Sequence, residues 1–525
     1  MQVISSTQAA AMVRSGSTLC SQGMGGNDVA EELLLELEKR FLETGQPKHL
    51  SWMHSSGQGD KGDRGLNHMA HEGLLDWIVG GHFGPATKIQ DMIAQNKLQA
   101  YNLPQGVISH MFRDMAAKRP TITRIGLETF VDPRVEGGRL NPRTTEDIVE
   151  LMELDGTEYL RYHHARKPDY ALLRGTFADE RGNISMEEEP CYLESLQAAQ
   201  AVKNNGGIVF VQVKQVVPYG SLDMRKVRIP GTLVDYVIPV RDLRNHMMTF
   251  DEQFNPAYCG NCRAVRSPDE QDRTLDAKKV ISRRAALELR PNSVINLGIG
   301  VPEGVGKVAE EEGLRDALTL SIESGPIGGV PVSDIGFGAS LNPDCILFQS
   351  TQFDTYDGGG LDLAYLGLAE ADQFGNVNVS KFGPKIAGAG GFINITQSTH
   401  DVFFCGTMTA GGLKVAVKDG KLSILREGRI KKLVKKVQQI TFSGSHAIRA
   451  GQNVLYITER AVFKLTQEGM TLLEIAPGVD LERDVLNQMG FHPQISPKLK
   501  TMDPRVFQET LMGLSWEAAA PRPAV

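Results

Sequence analysis

A chain of 525 residues exceeds a single hydrophobic core, and 41% hydrophobic residues suffice to fill two. A net charge of −7 with no long basic run leaves no nucleic-acid footprint. No apolar run approaches the roughly 20 residues of a membrane span, no charged-then-apolar leader opens the chain, and six cysteines do not form a disulfide framework, so a cytoplasmic protein is expected.

In chain order, the first signal is Leu19-Cys20-Ser21 running into Gln22-Gly23-Met24-Gly25-Gly26, a strand followed by a Gly-rich turn. Asn27 is placed to cap a helix opening at Asp28, with Ala30, Leu33, Leu34, Leu37 and Phe41 at helical spacing. The polar, Gly-rich stretch from His54 to Gly65 reads as a surface or active-site loop. Leu103-Pro104-Gln105-Gly106 reads as a turn by residue type. Gly207–Val213 is a short β-rich strand. Asn255 to Asp276 is polar and charged, as a linker would be, and its lone Cys259-x-x-Cys262 has no second pair to complete a zinc site.

The second half repeats the signal. Ser293-Val294-Ile295-Asn296-Leu297 ends in Gly298-Ile299-Gly300, and Pro302-Glu303 opens a helix with Val305, Val308 and Ala309 on one face. A G-x-G after a strand can hold a phosphate, donate N–H groups to an oxyanion, or merely turn the chain. A dinucleotide fingerprint is disfavoured, because its third glycine falls on Glu303. Ala317–Ile322 is an apolar strand that runs into Glu323, with Ser324-Gly325-Pro326 after it. Ligand crevices lie at the C-terminal ends of parallel strands, so Glu323 stands where a functional carboxylate would, or is simply a solvated acid at a loop start. Asp357-Gly358-Gly359-Gly360 and the run Gly383 to Asn394, with Gly388, Gly390 and Gly391, allow close backbone approach to a ligand or are flexible loops. Arg429 to Lys436 reads as a solvated edge, or as a neighbour of an anionic ligand. Asn453–Ile457 is another strand, and 516–525 has too little to bury and is expected to be disordered. His82, His110, His163, His164 and His446 show no metal-ligand spacing, and no metal site is expected.

The two Gly-rich turns superpose at a constant offset of 275 residues, and Ala178-Asp179-x-x-Gly182-Asn183 answers Ala371-Asp372-x-x-Gly375-Asn376. A duplicated domain follows. Residues 1–265 and 275–515 are the expected halves, each α/β with a mostly parallel sheet. The shared motifs lie 159 residues apart in the first half and 77 in the second, so the first carries some 80 extra residues, expected to include the His54–Gly65 loop.

Ser321-Ile322-Glu323-Ser324-Gly325, preceded by Asn296 to Pro302, resembles the β-type half of family I CoA-transferases, and Pro104-Gln105-Gly106 resembles a segment of their α-type half. Asp357–Asp362, Gly375–Asn378 and Gly390–Ile395 most resemble the fused short-chain acyl-CoA:acetate and propionate enzymes. In 3-oxoacid transferases the glutamate is usually followed by Asn-Gly; here Ser324-Gly325 tilts the expectation away from succinate and acetoacetate. The resemblance implies a fold of the NagB/RpiA type and a site enclosed between two domains. It implies Glu323 as nucleophile, oxyanion donors near Ile299 and in the Gly388–Gly391 loop, and a pocket role for Gln105. Gly298, Gly300, Val301, Gly388, Gly390 and Gly391 would approach coenzyme A. Coenzyme A is then a substrate and no cofactor is needed. The partners are acyl-CoA and short-chain carboxylic acids, and the assembly a homo-oligomer, dimer or tetramer. An acyl-CoA hydrolase, a 3-oxoacid (succinyl) CoA-transferase and a non-catalytic sensor are the competing readings on this scaffold.

Overall fold

A computed structural model describes residues 1–265 and 274–516. The middle of the expected linker and nearly all of the expected disordered tail lie outside the described residues. The chain forms two compact units, and neither is one continuous stretch. The first comprises 1–264, 322–354 and 380–394, the second 265–321, 355–379 and 395–525. Two segments of the second half, 322–354 and 380–394, fold with the first.

The first unit is built on an eight-stranded, all-parallel sheet. Its spatial order is Gln2–Val3, Tyr236–Pro239, Ile208–Val213, Tyr170–Arg174, Thr18–Ser21, Leu50–His54, Leu75–Gly80, Gln99–Asn102. Strands covered on both faces need apolar residues at successive positions. Accordingly Leu19, Ile78 and Phe210 join one core, while their neighbours Cys20, Val79 and Val211 join another. The helix Glu31–Thr44 lays Leu33, Leu34 and Leu37 on the first of these cores. It ends at Gly45, whose φ of 68° and N–H to the Phe41 carbonyl make a left-handed cap. The expected start at Asp28 is corrected: the helix begins at Glu31. Asp28 is buried with φ 55° and accepts from the Cys191 thiol, while the Asn27 amide donates to the Met24, Gly336 and Phe337 carbonyls instead of capping.

The surplus of the first half is not concentrated in the 54–65 loop. It includes the Leu75–Gly80, Thr87–Ala94 and Gln99–Asn102 elements and an antiparallel sheet of Thr121–Thr123, Thr157–Tyr162 and Val149–Leu154. Most of 54–59 is buried, and exposure is confined to 61–63 at the loop's tip.

In the second unit, Leu318–Ser321, Ser293–Leu297, Leu363–Gly367, Asp401–Cys405 and Asn453–Ile457 form a parallel run. Ala461–Thr466 and Gly469–Ile475 continue it antiparallel, and Gln494–Thr501 pairs parallel at the end. The helix Glu303–Glu311 buries Val305, Val308 and Ala309, as the spacing predicts.

The two Ala-Asp-x-x-Gly-Asn segments make the same hydrogen bonds. In the first half Asp179 Oδ1 accepts from the Arg181 and Asn183 N–H groups, Asp179 Oδ2 from the Asn183 amide, and Asn183 Oδ1 from the Gly231 N–H. In the second, Asp372 Oδ1 accepts from Phe374 and Asn376, Oδ2 from the Asn376 amide, and Asn376 Oδ1 from the Gly444 N–H. Gly182 and Gly375 adopt φ of 82° and 80°, where a side chain is strained.

Candidate active site

Glu323 follows the strand Leu318–Ser321 by two residues and rides a tight turn. The Gly325 N–H donates to the Ile322 carbonyl at 3.1 Å, and the Ile322 N–H to the Pro326 carbonyl at 3.0 Å. Gly325 has φ 126°, and a Cβ there would stand 2.0 Å from the Leu347 carbonyl oxygen. Only glycine lets the turn lie against that segment, which the Leu347 N–H secures by donating to the Gly325 carbonyl at 2.9 Å. The neighbouring Ser324 is buried and donates to the Gly338 carbonyl at 2.6 Å. Glu323 itself is 9% exposed, so its carboxylate is not the solvated acid that a loop start alone would suggest.

Two residues beyond Leu347 stands Gln349, which ties this turn's support to Gln105. The Gln105 amide nitrogen donates to Gln349 Oε1 at 3.2 Å. Gln105 opens the helix Gln105–Ala116 directly after Pro104, whose extended backbone ends the preceding segment. The Pro104-Gln105-Gly106 segment therefore starts a buried helix, where residue type alone suggested a turn. The Gln105 N–H donates to the Gly390 carbonyl at 2.9 Å, and the Gly106 N–H to Asn394 Oδ1 at 3.2 Å. A Cβ on Gly106 would meet Phe353 at 2.5 Å, so glycine is needed for this approach.

The 387–391 loop is held against the same strand ends. The Gly390 N–H donates to the Gly81 carbonyl, the Ala389 N–H to Asn102 Oδ1, and the Gly388 N–H to the Ser380 carbonyl. Gly388 and Gly390 take positive φ of 83° and 56°. The sequence suggested a run of free N–H groups here; the structure uses three of them internally and leaves that of Gly391 without an acceptor among the described residues. Asp357–Gly360 proves to be a helix end. The Gly359 N–H returns to Tyr356 and the Gly360 N–H to Thr355.

Within the second unit, the 298–303 turn is open. The Gly298 N–H donates to the Tyr365 carbonyl, and the Gly300 N–H to the Glu303 carboxylate. The N–H groups of Ile299 and Val301 have no acceptor among the described residues. The Ile299 side chain is 55% exposed, and a Cβ on Gly300 would meet nothing within 4 Å. In the basic run, Lys432 is the unexpected member: burial pulls its ammonium down to about 8. Among the described residues no cluster has the makings of a metal site, and no helix is long and apolar enough to cross a membrane.

Sequence reasoning missed Gln349 and Glu194, which meet Ser55 and Ser56 of the flagged loop. Gln349 donates from its amide nitrogen to Ser55 Oγ at 2.8 Å and Glu194 Oε2 at 3.1 Å, and accepts from Ser56 Oγ at 3.0 Å. Burial pushes the Glu194 carboxyl up to about 7, with the Ser55 hydroxyl holding it down in part. The Ser55-Ser56 pair lies in the loop flagged from the sequence, whereas an isolated Gln or Glu carries no pattern.

The parallel α/β scaffold is shared with known CoA-transferases. Residues 3–239 match the coenzyme A transferase family model, and the chain belongs to that family, as a family I CoA-transferase with both halves fused in one polypeptide. It is 45% identical over 520 residues to acetate CoA-transferase YdiF of Escherichia coli O157:H7, covering 99% of this chain and 97% of that one. It is 46% identical over 517 residues to caffeate CoA-transferase of Acetobacterium woodii, covering 97% and 98%. The crystal structure of the E. coli O157:H7 acyl-CoA transferase YdiF as a thioester complex with CoA matches with a TM-score of 0.93 at 44% identity, over 99% and 98% of the two chains.

Proposed function

We propose that this CoA-transferase exchanges coenzyme A between a short-chain acyl-CoA and a free acid of the acetate or propionate class, through a thioester on Glu323. The observation that carries the reading is the buried glutamate on its locked turn, in a chain 45% identical to an acetate CoA-transferase. The Glu323 carboxylate attacks the acyl-CoA carbonyl; the C–S bond breaks, giving a mixed anhydride and CoA thiolate. The thiolate adds to the glutamyl carbonyl, releasing the free acid and leaving glutamyl-CoA. An incoming carboxylate repeats the two steps in reverse and departs as the new acyl-CoA.

Each addition passes through an oxyanion, and a weak carboxylate nucleophile makes its stabilisation decisive. The unspent N–H groups of Ile299 and Gly391 are suited to that task, and the Gln105 amide to holding the reacting carboxylate. Gly298, Gly300, Val301, Gly388 and Gly390 let backbone come close to CoA. No further cofactor is required by this chemistry. A homo-oligomer, dimer or tetramer, working in the cytoplasm completes the reading.

Acetyl-CoA loading followed by borohydride and peptide mapping tests the intermediate. The expected adduct is on Glu323; an adduct elsewhere, or none, refutes the assignment. Glu323→Ala is expected to lose transfer by at least about 10⁴-fold, the scale of a lost covalent nucleophile, with its melting temperature kept. Parallel double-reciprocal lines are expected, whereas intersecting lines exclude the shuttle. One observation favours a second acceptor class: the caffeate enzyme is as similar as the acetate enzyme. A matrix of acyl-CoA donors against acetate, propionate, succinate and hydroxycinnamate acceptors decides between them, and CoA release without any acceptor would indicate a hydrolase.

A further inference from the structure

Gln349 is saturated with partners, and they differ at its two ends. Its nitrogen donates to Ser55 Oγ and Glu194 Oε2, and its oxygen accepts from Ser56 Oγ and the Gln105 amide nitrogen. An amide has nearly the same shape either way round, so its neighbours alone decide which end faces Gln105. An ionised carboxylate only accepts, and so demands the nitrogen end. With Glu194 ionised, the oxygen end of Gln349 is left for Gln105. One N–H of Gln105 is thereby committed and its amide plane fixed, with the second N–H left over. We propose that Glu194, acting through Gln349, is a positioning residue that sets the orientation of the Gln105 amide for the reacting carboxylate. This rests on the role proposed above for Gln105.

Four side chains of the first unit, Ser55, Ser56, Glu194 and Gln105, meet at Gln349. Glu194 and Gln349 are buried, Ser55 and Ser56 likewise, and Gln105 is 2% exposed. Burying a carboxylate without a cation opposite is costly, and such a group is retained most readily where its charge has a use. The ionisable groups around it do not supply that cation. Cys20 and Cys191 sense its charge, and burial pushes both thiols up, so they stay neutral. His54 and His82, on the strand ends beside Ser55, are pulled down to about 4 by burial and are also neutral. Protonating Glu194 adds an O–H donor to a group that until then could only accept, and so removes the strict demand for the nitrogen end of Gln349. Turnover is then set by the ionised form, while CoA binding, which uses other groups, is not.

The test is the pH dependence of kcat and KM in the full-length protein. The parent enzyme is expected to lose kcat on the acid side of a limb near neutrality. Glu194→Gln, of the same shape but unable to ionise, is expected to lower kcat about tenfold or more and to abolish that limb, with KM for acyl-CoA kept and a melting temperature no lower than the parent's. A Glu194→Gln enzyme that retains both kcat and the limb overturns the proposal. Ser55→Ala provides an independent arm that holds even if Glu194→Gln does not fold. Removing the hydroxyl that lowers the Glu194 carboxyl must move the limb to higher pH, and a limb that stays in place overturns the proposal. Gln105→Ala separates the two readings. Unchanged transfer removes the role of Gln105 itself, whereas crippled transfer beside a fully active Glu194→Gln removes only the positioning role.

Discussion

The two Gly-rich turns match at one offset in the sequence and are put to opposite uses. In the first half, Gly23–Gly26 is packed solid. A Cβ on Gly25 would stand 2.8 Å from the Ile335 carbonyl oxygen, and one on Gly26 would stand 2.6 Å from the Phe250 nitrogen. The Gly25 and Gly26 N–H groups are spent on the Gly57 and Ile335 carbonyls. In the second half, nothing stands near Gly300, the Ile299 side chain is exposed, and the Ile299 N–H is unspent. A duplicated turn thus becomes a joint in one copy and a presenting surface in the other. Glycine count cannot tell them apart; the neighbours that fill the space do.

That contrast can be broken most forcefully at Gly26. Gly26→Ala forces a methyl into backbone and is expected to cost about 3 kcal/mol or more, read as a lower urea midpoint at unchanged slope. Stability within about 0.5 kcal/mol of the parent would mean that the first turn is not the packed joint described. Gly300→Ala, by contrast, meets no atom and is expected to cost only about 1 kcal/mol from its φ of 90°. Its main effect should be a raised KM for acyl-CoA, and an unchanged KM would remove CoA from that turn.

The shared Asp-x-x-Gly-Asn turns sharpen the comparison from the other side. There the copies make the same bonds. Asn183→Ala and Asn376→Ala should therefore cost similar amounts, about 1 kcal/mol for the partly buried bonds each removes. A wide difference between them in denaturant titration would show that the two turns are supported differently despite their common geometry.

A last effect is one of pH on stability. The Glu194 carboxyl stands at about 7 in the folded chain, above its ordinary value of 4.5. A raised carboxyl stabilises the fold at low pH, and that contribution is lost as pH rises from about 4.5 through about 7. Glu194→Gln never ionises, so its stability relative to the parent is expected to improve from pH 5 to pH 8. Parallel melting curves across that range would contradict the raised carboxyl.

Much of this was legible in the residues. The strand, turn and helix from Ser293 to Glu311 follow from apolar alternation and a Pro-Glu start, and Glu323 was marked by its place after an apolar strand. The start at Asp28 was misread because Asn-Asp before a helical pattern is good cap chemistry, while burial beside Cys191 decides the outcome here. The Gln105–Gln349–Glu194 chain was illegible for another reason. Its members are 244 and 155 residues apart in sequence, and periodicity reports only what is local. The same blindness hid the return of 322–354 and 380–394 to the first unit.

That return has a consequence for the order in which the protein is made. Synthesis delivers residues 1–264 long before 322–354 and 380–394, so the first unit waits, incomplete, for its last two segments. Closing contacts across such long stretches of chain is slow, and Ile386, Ala389 and Ile393 are all needed to finish its two apolar cores. Gln105 and Gln349 therefore meet only near the end of assembly. A nascent fragment of residues 1–264 can carry the strands of the first sheet but lacks the turn that bears Glu323, so the proposed nucleophile joins this unit late.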